Sequence, residues 1–140
     1  MSDVDMTEAE CEEFLGGVHV GVLSIQRDGK GPLALPIWYA YEEGEVIIHM
    51  GGDSVKARLL RRYGRASMTV QNETPPYQYV MVEGPVTVRH EGRDIRPIAI
   101  RYLGDELGNQ YADANPPSDD SVVARLVPER WLTTDYGKAG

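Results

Sequence analysis

Short apolar runs joined by tight turns are the feature that most constrains the fold of this chain. The dipeptides Asp28-Gly29 and Glu43-Gly44 separate segments rich in β-branched residues. Asp-Gly is typical of a hairpin turn because glycine adopts positive φ angles at little cost. No repeating unit of strand and long helix, ~30 residues in length, runs through the sequence, so a doubly wound parallel sheet is not expected. The pattern predicts a mainly β fold, an antiparallel barrel with small helices at its edges.

The individual elements follow from local signals. Thr7 and Glu10 have the spacing of a capping box, which predicts an N-terminal helix ending near Gly16-Gly17. A strand over 18–25 is expected to be buried on both faces. The Pro116-Pro117 pair excludes helix, so residues 111–120 are predicted to form a loop. The remaining predictions are strands over 33–41, 45–50, 65–71, 77–89, 121–127 and 131–134, and helices over 53–63 and 94–103.

Composition limits the function classes. The 140 residues predict a single domain over 1–140. A net charge of −8 argues against a nucleic-acid-binding protein, which would show a basic face. No apolar run approaches the ~20 residues that cross a bilayer, and no secretory signal pattern begins the sequence. A single cysteine, Cys11, fits a reducing compartment, so we expect a cytoplasmic protein that binds neither nucleic acid nor membrane.

The segment from Glu45 to Val70 predicts an anion site. A strand ends there at Gly51-Gly52, and a short basic helix follows. The N-terminus of a helix offers unpaired N–H groups and the positive end of the helix dipole. Ser54 and Lys56 lie at that end, with Arg58 one turn further on. We interpret this corner as a phosphate site for a flavin-type cofactor, although such a charge run can also be a solvated helix face.

Catalytic and metal-binding patterns are otherwise lacking in the sequence. His19, His49 and His90 have no partner at metal spacing, so no metal site is predicted. His49 lies at a strand end beside the glycine turn, where it could contact a ligand or serve as a structural residue. The sequence has no Gly-x-Ser-x-Gly motif and no P-loop, so no catalytic residue is assigned. If the chain is an enzyme, a cofactor is expected to carry the reaction.

The order of motifs resembles a known family. GVLSIQRDGKGPLALPIWYAY is followed by VIIHMGGDSVKARLLRRYGRASMTV and then by YVMVEGPVTV. This arrangement resembles the pyridoxamine 5′-phosphate oxidase-like family, and within it the actinobacterial branch that depends on the deazaflavin coenzyme F420. The resemblance implies an FMN-binding type of split β-barrel with six antiparallel strands and short flanking helices. It also implies a homodimer with two cofactor sites at the interface.

The resemblance also implies which residues bind the cofactor. Ser54 and Lys56, with Arg58, would bind its phosphate, and Tyr77 and Tyr79 would approach the ring from the other subunit. The ring would lie on the strand containing Pro36, Ile37, Trp38 and Tyr39, and the ribityl chain beside His49, Met50 and Gly51. Trp38 and Tyr39 could instead be core or interface residues.

Three functions are therefore expected from the sequence. The first is an F420-dependent oxidoreductase that transfers a hydride to an unsaturated small-molecule acceptor. The second is an FMN-binding flavin reductase or oxidase of the same fold. The third is a cofactor-binding or haem-binding protein without catalysis, in which His49 would be the haem ligand. Vitamin B6 oxidation is not expected, because Val55 stands where those oxidases carry a second basic residue.

Overall fold

The computed structural model describes residues 3–139, which form three α-helices and eight strands that all pair antiparallel. The helices are α1 (Glu8–Gly16), α2 (Val55–Tyr63) and α3 (Arg96–Ala114), and a 3-10 turn covers Tyr136–Ala139. The strands are β1 (Gly21–Arg27), β2 (Lys30–Ile37), β3 (Ala40–Glu42), β4 (Glu45–Gly51), β5 (Arg65–Gln71), β6 (Gln78–His90), β7 (Ser121–Leu126) and β8 (Arg130–Asp135).

The strands form one sheet in the order β2-β1-β5-β6-β7-β4-β3, with β8 also paired to β6. The long strand β6 joins the two halves: residues 78–83 pair with β8, whereas residues 86–90 pair with β7. Inward side chains of both halves pack into one core, which includes Leu23, Met68, Val82, Val46 and Leu126. No pairing joins β2 to β3 in residues 3–139, so the barrel is split. The mainly β antiparallel class is confirmed, with eight strands instead of six.

The predicted strand over 33–41 is wrong in its extent, which explains part of the difference in strand number. It divides into β2 and β3, with Trp38 and Tyr39 between them. The hydroxyl of Tyr102 accepts a hydrogen bond from the Tyr39 N–H at 3.1 Å and lies 3.3 Å from the Tyr39 carbonyl oxygen. Because the Tyr102 hydroxyl forms hydrogen bonds with both the N–H and the carbonyl group of Tyr39, these backbone groups do not pair with a neighbouring strand.

Two other element boundaries differ from the prediction. The strand predicted over 18–25 begins only at Gly21, and it is exposed on one face, where Val22 keeps 40% of its surface accessible. Helix α2 begins at Val55 instead of residue 53, because Ser54 is its N-cap and accepts a hydrogen bond from the Ala57 N–H. The predicted capping box of α1, formed by Thr7 and Glu10, is confirmed.

Helix α3 is longer than predicted and covers the outer face of the second half of the sheet. It extends to Ala114, so the prediction of loop from residue 111 is wrong for its first residues. Gly104, with φ 85°, breaks the helical geometry, and the chain resumes helix after it. Ile98 packs against Ile47 and Val123, so β4 and β7 are buried on both faces. None of the described helices is long and apolar enough to cross a membrane.

Candidate functional site

A pocket of about 230 Å³ opens where the end of β2 meets β4 and the first turn of α2. β4 leads directly into α2 through the glycine turn, and the fold places the end of β2 beside them. Five residues predicted from the sequence to bind a cofactor line it, namely Pro36, Ile37, Trp38, His49 and Lys56. The structure therefore brings the predicted ring-binding strand and the predicted phosphate-binding lysine together.

Lys56 lies at the anion-binding end of α2. The first turn of this helix carries no acidic side chain, and Asp53 directly precedes its N-cap, Ser54. Lys56 makes no ion pair or hydrogen bond with another residue in the described part of the chain. Arg61 donates a hydrogen bond of 2.6 Å to the Gly52 carbonyl oxygen and so fixes the turn that precedes the helix. Among residues 3–139, Lys56 is the one cationic side chain that lines this pocket.

Trp38 forms an aromatic wall of the pocket between two tyrosines of α3. Its ring is stacked on Tyr102 at 5.2 Å between centroids, with 6° between the planes. Tyr111 lies on Trp38 at 5.2 Å, tilted by 56°, and also lines the pocket. Tyr102 is itself fixed by a hydrogen bond of 2.6 Å to the His19 carbonyl oxygen. The wall is thus held rigid before any ligand binds.

His49 contributes an unsatisfied polar atom to the same pocket. Its Nε2 is buried and makes no hydrogen bond with any residue of 3–139. Burial lowers the pKa of His49, and the nearby positive charge of Arg93 lowers it further. The neutral imidazole is therefore favoured. A buried polar atom without a partner is costly unless a ligand or water satisfies it.

The remaining predicted residues lie at other places. Met50 and Gly51 line a neighbouring cavity, which shares His49 with this pocket. Ser54 serves as the α2 cap two residues before Lys56, and Arg58 is exposed on the same helix.

Three predicted aromatic residues lie outside the pocket in a single chain. Tyr39 is fully buried, and its hydroxyl donates a hydrogen bond of 2.8 Å to the Leu15 carbonyl oxygen, so its side chain belongs to the core. Tyr77 is 51% exposed just before β6. Tyr79 lies on the outer face of β6, two residues before Met81. Their predicted approach to the ring involves the other subunit and stays a prediction.

Sequence reasoning missed two residues that line the pocket, Ile95 and Tyr111. Both belong to the α3 region, whose packing on the sheet is a tertiary contact that no local sequence pattern indicates. Gly104 interrupts the helical periodicity that could have connected Tyr102 with Tyr111. The one signal available was the position of Tyr111 at the start of the predicted loop over 111–120.

The donor set fits an organic anion with a planar ring. A cationic ammonium at a helix N-terminus binds phosphate as a point charge, and an aromatic and apolar wall suits a ring system. Among the described residues, no group of three or more His, Cys, Asp or Glu side chains could hold a metal ion.

Comparisons with known proteins identify a matching family. The family model described as pyridoxamine 5′-phosphate oxidase matches residues 7–131. A search of curated protein sequences gives no match.

Solved structures include three informative relatives. A conserved hypothetical protein, Rv2991, from Mycobacterium tuberculosis superposes with a TM-score of 0.82 at 26% identity, covering 100% of this chain and 91% of that one. A FAD-binding protein from Mesorhizobium loti superposes with a TM-score of 0.67 at 20% identity, covering 91% of this chain and 94% of that one. A protein described as an F420 reductase superposes with a TM-score of 0.64 at 23% identity, covering 86% of this chain and 94% of that one.

The last two similarities concern the fold alone, whereas the family match extends over nearly the whole chain. It includes both strands and the helix that build the pocket. The chain therefore belongs to the pyridoxamine 5′-phosphate oxidase family.

Proposed function

We propose that this protein binds coenzyme F420 and acts as an oxidoreductase on an unsaturated small molecule. The observation that carries the proposal is the convergence of Lys56, Trp38 and His49 on one pocket at the N-terminus of α2. A structural relative described as an F420 reductase gives further support. When bound, reduced F420 supplies a hydride, which together with a proton from water saturates a double bond of the acceptor.

The chain's own residues bind and orient the two reactants. Lys56 would bind the phosphate, with Ser54 and Arg58 beside it on the same helix. The backbone and side chains of Pro36 to Trp38 would support the ring, and the tyrosines packed on Trp38 would keep that surface in place. Such a site accelerates transfer mainly by holding donor and acceptor in contact and by excluding water.

We also propose that the protein is a homodimer with cofactor sites at the interface. On the outer face of the sheet, paired positions place Pro36, Val22, Thr69, Met81 and Leu132 in one row across β2, β1, β5, β6 and β8. This row carries no charge, and Leu132 keeps 57% of its surface exposed. Pro36 belongs both to the row and to the pocket. A second copy seated on this face would therefore border the pocket and could bring Tyr77 and Tyr79 to it.

FMN is the alternative cofactor, because it offers the same combination of phosphate and planar ring. The FAD-binding relative favours this flavin alternative. Haem is the third candidate, and it is favoured by the unsatisfied Nε2 of His49.

Parallel titrations distinguish these candidates. Purified protein freed of cofactor would be titrated with F420, FMN and haem by calorimetry. Tighter binding of F420 is the expected result, and turnover of the loaded protein with reduced F420 would then separate an enzyme from a carrier. Tighter binding of FMN would indicate that the protein is a flavin enzyme instead. Haem binding with a visible spectrum that changes in His49→Ala would contradict both.

A further inference from the structure

Helix α3 consists of two arms that fold back on each other at Gly104. The first arm covers residues 96–103, and the second covers 105–114. Gly104, with φ 85° and ψ 173°, turns the chain between them in the region of positive φ that favours glycine. Gly108 of the second arm lies so close to the first that a Cβ atom there would stand 2.5 Å from the Ile100 Cα. The two arms therefore form a helical hairpin.

Arg96 connects the two arms of this hairpin. Its guanidinium donates hydrogen bonds of 2.7 and 3.3 Å to the side-chain and backbone carbonyl oxygens of Asn109, and it pairs with Asp113 at 2.8 Å. In a straight α-helix, residues 96 and 109 would lie about 20 Å apart, which is beyond the reach of an arginine side chain. Within residues 3–139, these are the only side-chain hydrogen bonds or ion pairs between the second arm and either the first arm or the sheet.

The first arm is anchored without the help of Arg96. Tyr102 donates a hydrogen bond of 2.6 Å to the His19 carbonyl oxygen, and Arg101 donates one of 3.0 Å to the Gly16 carbonyl oxygen. Ile98 of the same arm packs into the core cluster on the outer face of the sheet. Because the second arm has no comparable side-chain anchor, its position depends on Arg96 and on packing.

The second arm reaches the proposed cofactor pocket through Tyr111. This ring lies 5.2 Å from the Trp38 ring, tilted by 56°, and it lines the pocket. The other aromatic neighbour of Trp38 is Tyr102, which belongs to the anchored first arm. Trp38 is therefore contacted by both arms, and only its contact with Tyr111 depends on closure of the hairpin.

From these observations we infer that Arg96 is a positioning residue of the cofactor pocket. It holds the second arm closed, so that Tyr111 completes the Trp38 wall and slows release of the bound cofactor. The inference rests on the proposed function for the identity of that cofactor. The contact between Tyr111 and Trp38 exists without any ligand, so the arm can be tested separately.

The first test observes Trp38 directly in the ligand-free, full-length protein. The chain contains two tryptophans, Trp38 and Trp131, so its NMR spectrum has two side-chain indole N–H signals. An aromatic ring shifts the resonance of a nearby proton, and displacement of Tyr111 should therefore move the Trp38 signal. Trp131 packs against the main core, whereas Trp38 packs with α3. Arg96→Ala should move the Trp38 signal and leave the Trp131 signal in place.

A second variant separates the arms by a different mechanism. Gly108→Ala adds a Cβ atom that meets the backbone of Ile100, so it should move the Trp38 signal as well. Arg65→Ala is the matched control. It also removes an arginine from an exposed ion pair, with Glu129 at 2.8 Å, but Arg65 lies on β5. This control should leave the Trp38 signal unchanged.

The second test measures how fast F420 leaves the pocket, by stopped-flow displacement. Arg96→Ala should speed release about fivefold to tenfold, the range expected for losing an exposed ion pair and a hydrogen bond. Tyr111→Ala should speed release as well. Because Arg96 acts through Tyr111, adding Arg96→Ala to Tyr111→Ala should change release little further. Arg65→Ala should release F420 at the wild-type rate.

An unmoved Trp38 signal in either folded variant, Arg96→Ala or Gly108→Ala, would overturn the inference. Release of F420 from Arg96→Ala at the wild-type rate would also overturn it, and so would fully additive effects of Arg96→Ala and Tyr111→Ala. If the wild type does not bind F420, the proposed function is wrong, and the Trp38 signal alone then decides whether Arg96 positions this wall.

Discussion

At the residue scale, the basic run over 56–65, in α2 and at the start of β5, separates into cations with different contacts. Arg62 pairs with Asp28, and Arg65 with Glu129. Arg61 binds the backbone of Gly52. These arginines hold the helix and its neighbouring turns in place, and only Lys56 of the run lines the pocket. The ligand-site interpretation of the charge run therefore rests on Lys56, and it stays a prediction.

Lys56→Ala is expected to weaken F420 binding by about 1.5–3 kcal/mol, the range for losing a charge-assisted hydrogen bond. The fold should be unaffected, because the Lys56 side chain makes no hydrogen bond or ion pair with other described residues. Calorimetric titration measures the change. Lys30→Ala, at an exposed position where β2 begins, is the control and should bind normally. An unchanged affinity of Lys56→Ala for F420 would show that this lysine does not bind the coenzyme.

Glu10 provides a prediction about pH. Its carboxylate accepts a hydrogen bond from Lys138 at 2.6 Å and another from the Thr7 N–H at 2.8 Å, and these bonds lower its pKa from 4.5 to about 2. The folded state thus holds the charged form more strongly than the unfolded state does. The resulting stabilisation is complete above pH 4.5 and disappears as the pH falls toward 2.

Between pH 5 and pH 2 the free energy of unfolding of Glu10→Gln should therefore fall less than that of the wild type. This is roughly the window set by the pKa values of Glu10 in the unfolded and folded states. Glutamine can still bind the Thr7 N–H, so the helix cap is retained. Urea denaturation at several pH values measures this difference. Parallel pH dependence in the two proteins would show that the pairing contributes nothing to stability.

At the scale of elements, β6 determines how the two halves of the sheet are joined. Gly84 lies under the segment that connects β7 to β8, and a Cβ atom there would stand 1.9 Å from the Val127 carbonyl oxygen. The connecting segment is held on both sides of this glycine: the Val127 N–H binds Pro85, and the Glu129 N–H binds Glu83. Only glycine allows the backbones to approach this closely.

Gly84→Ala should destabilise the protein by about 3 kcal/mol or more, because the connecting segment must move and these hydrogen bonds must lengthen. Gly31→Ala is the matched control, since a Cβ atom there would meet nothing within 4 Å. Thermal unfolding of the two variants tests the difference. Equal stability would contradict the role assigned to Gly84.

The strands and the pocket were predictable from the sequence to different degrees. Lys56 could be predicted because it lies at a helix start, whereas Pro36 and Trp38 were placed at the site by the family resemblance. The aromatic partner Tyr111 could not, because its contact with Trp38 depends on how α3 packs across the sheet. The unsatisfied state of His49 is likewise a property of tertiary burial, which no sequence pattern reports.

At the scale of the whole molecule, the uncharged row that ends at Leu132 on the outer face of the sheet is the surface on which the proposed dimer would form. An aspartate at position 132 would place a charge at the β8 end of the proposed interface, where its desolvation is costly. Because Leu132 is exposed in the single chain, the fold itself should tolerate the change.

Leu132→Asp should therefore be a folded monomer, whereas the wild type should be a dimer. Light scattering after size-exclusion chromatography measures the mass. Leu107→Asp is the control, since Leu107 is 56% exposed on α3 and lies away from the row. A dimeric Leu132→Asp variant would show that another surface is used.

A crystal structure with F420 bound tests the central claim most directly. We expect the coenzyme phosphate beside Lys56 at the start of α2 and the ring against the segment from Pro36 to Trp38. The ring should also lie within contact of His49. A coenzyme bound at any other place, with Lys56 and Trp38 free of contact, would contradict the assignment of this pocket.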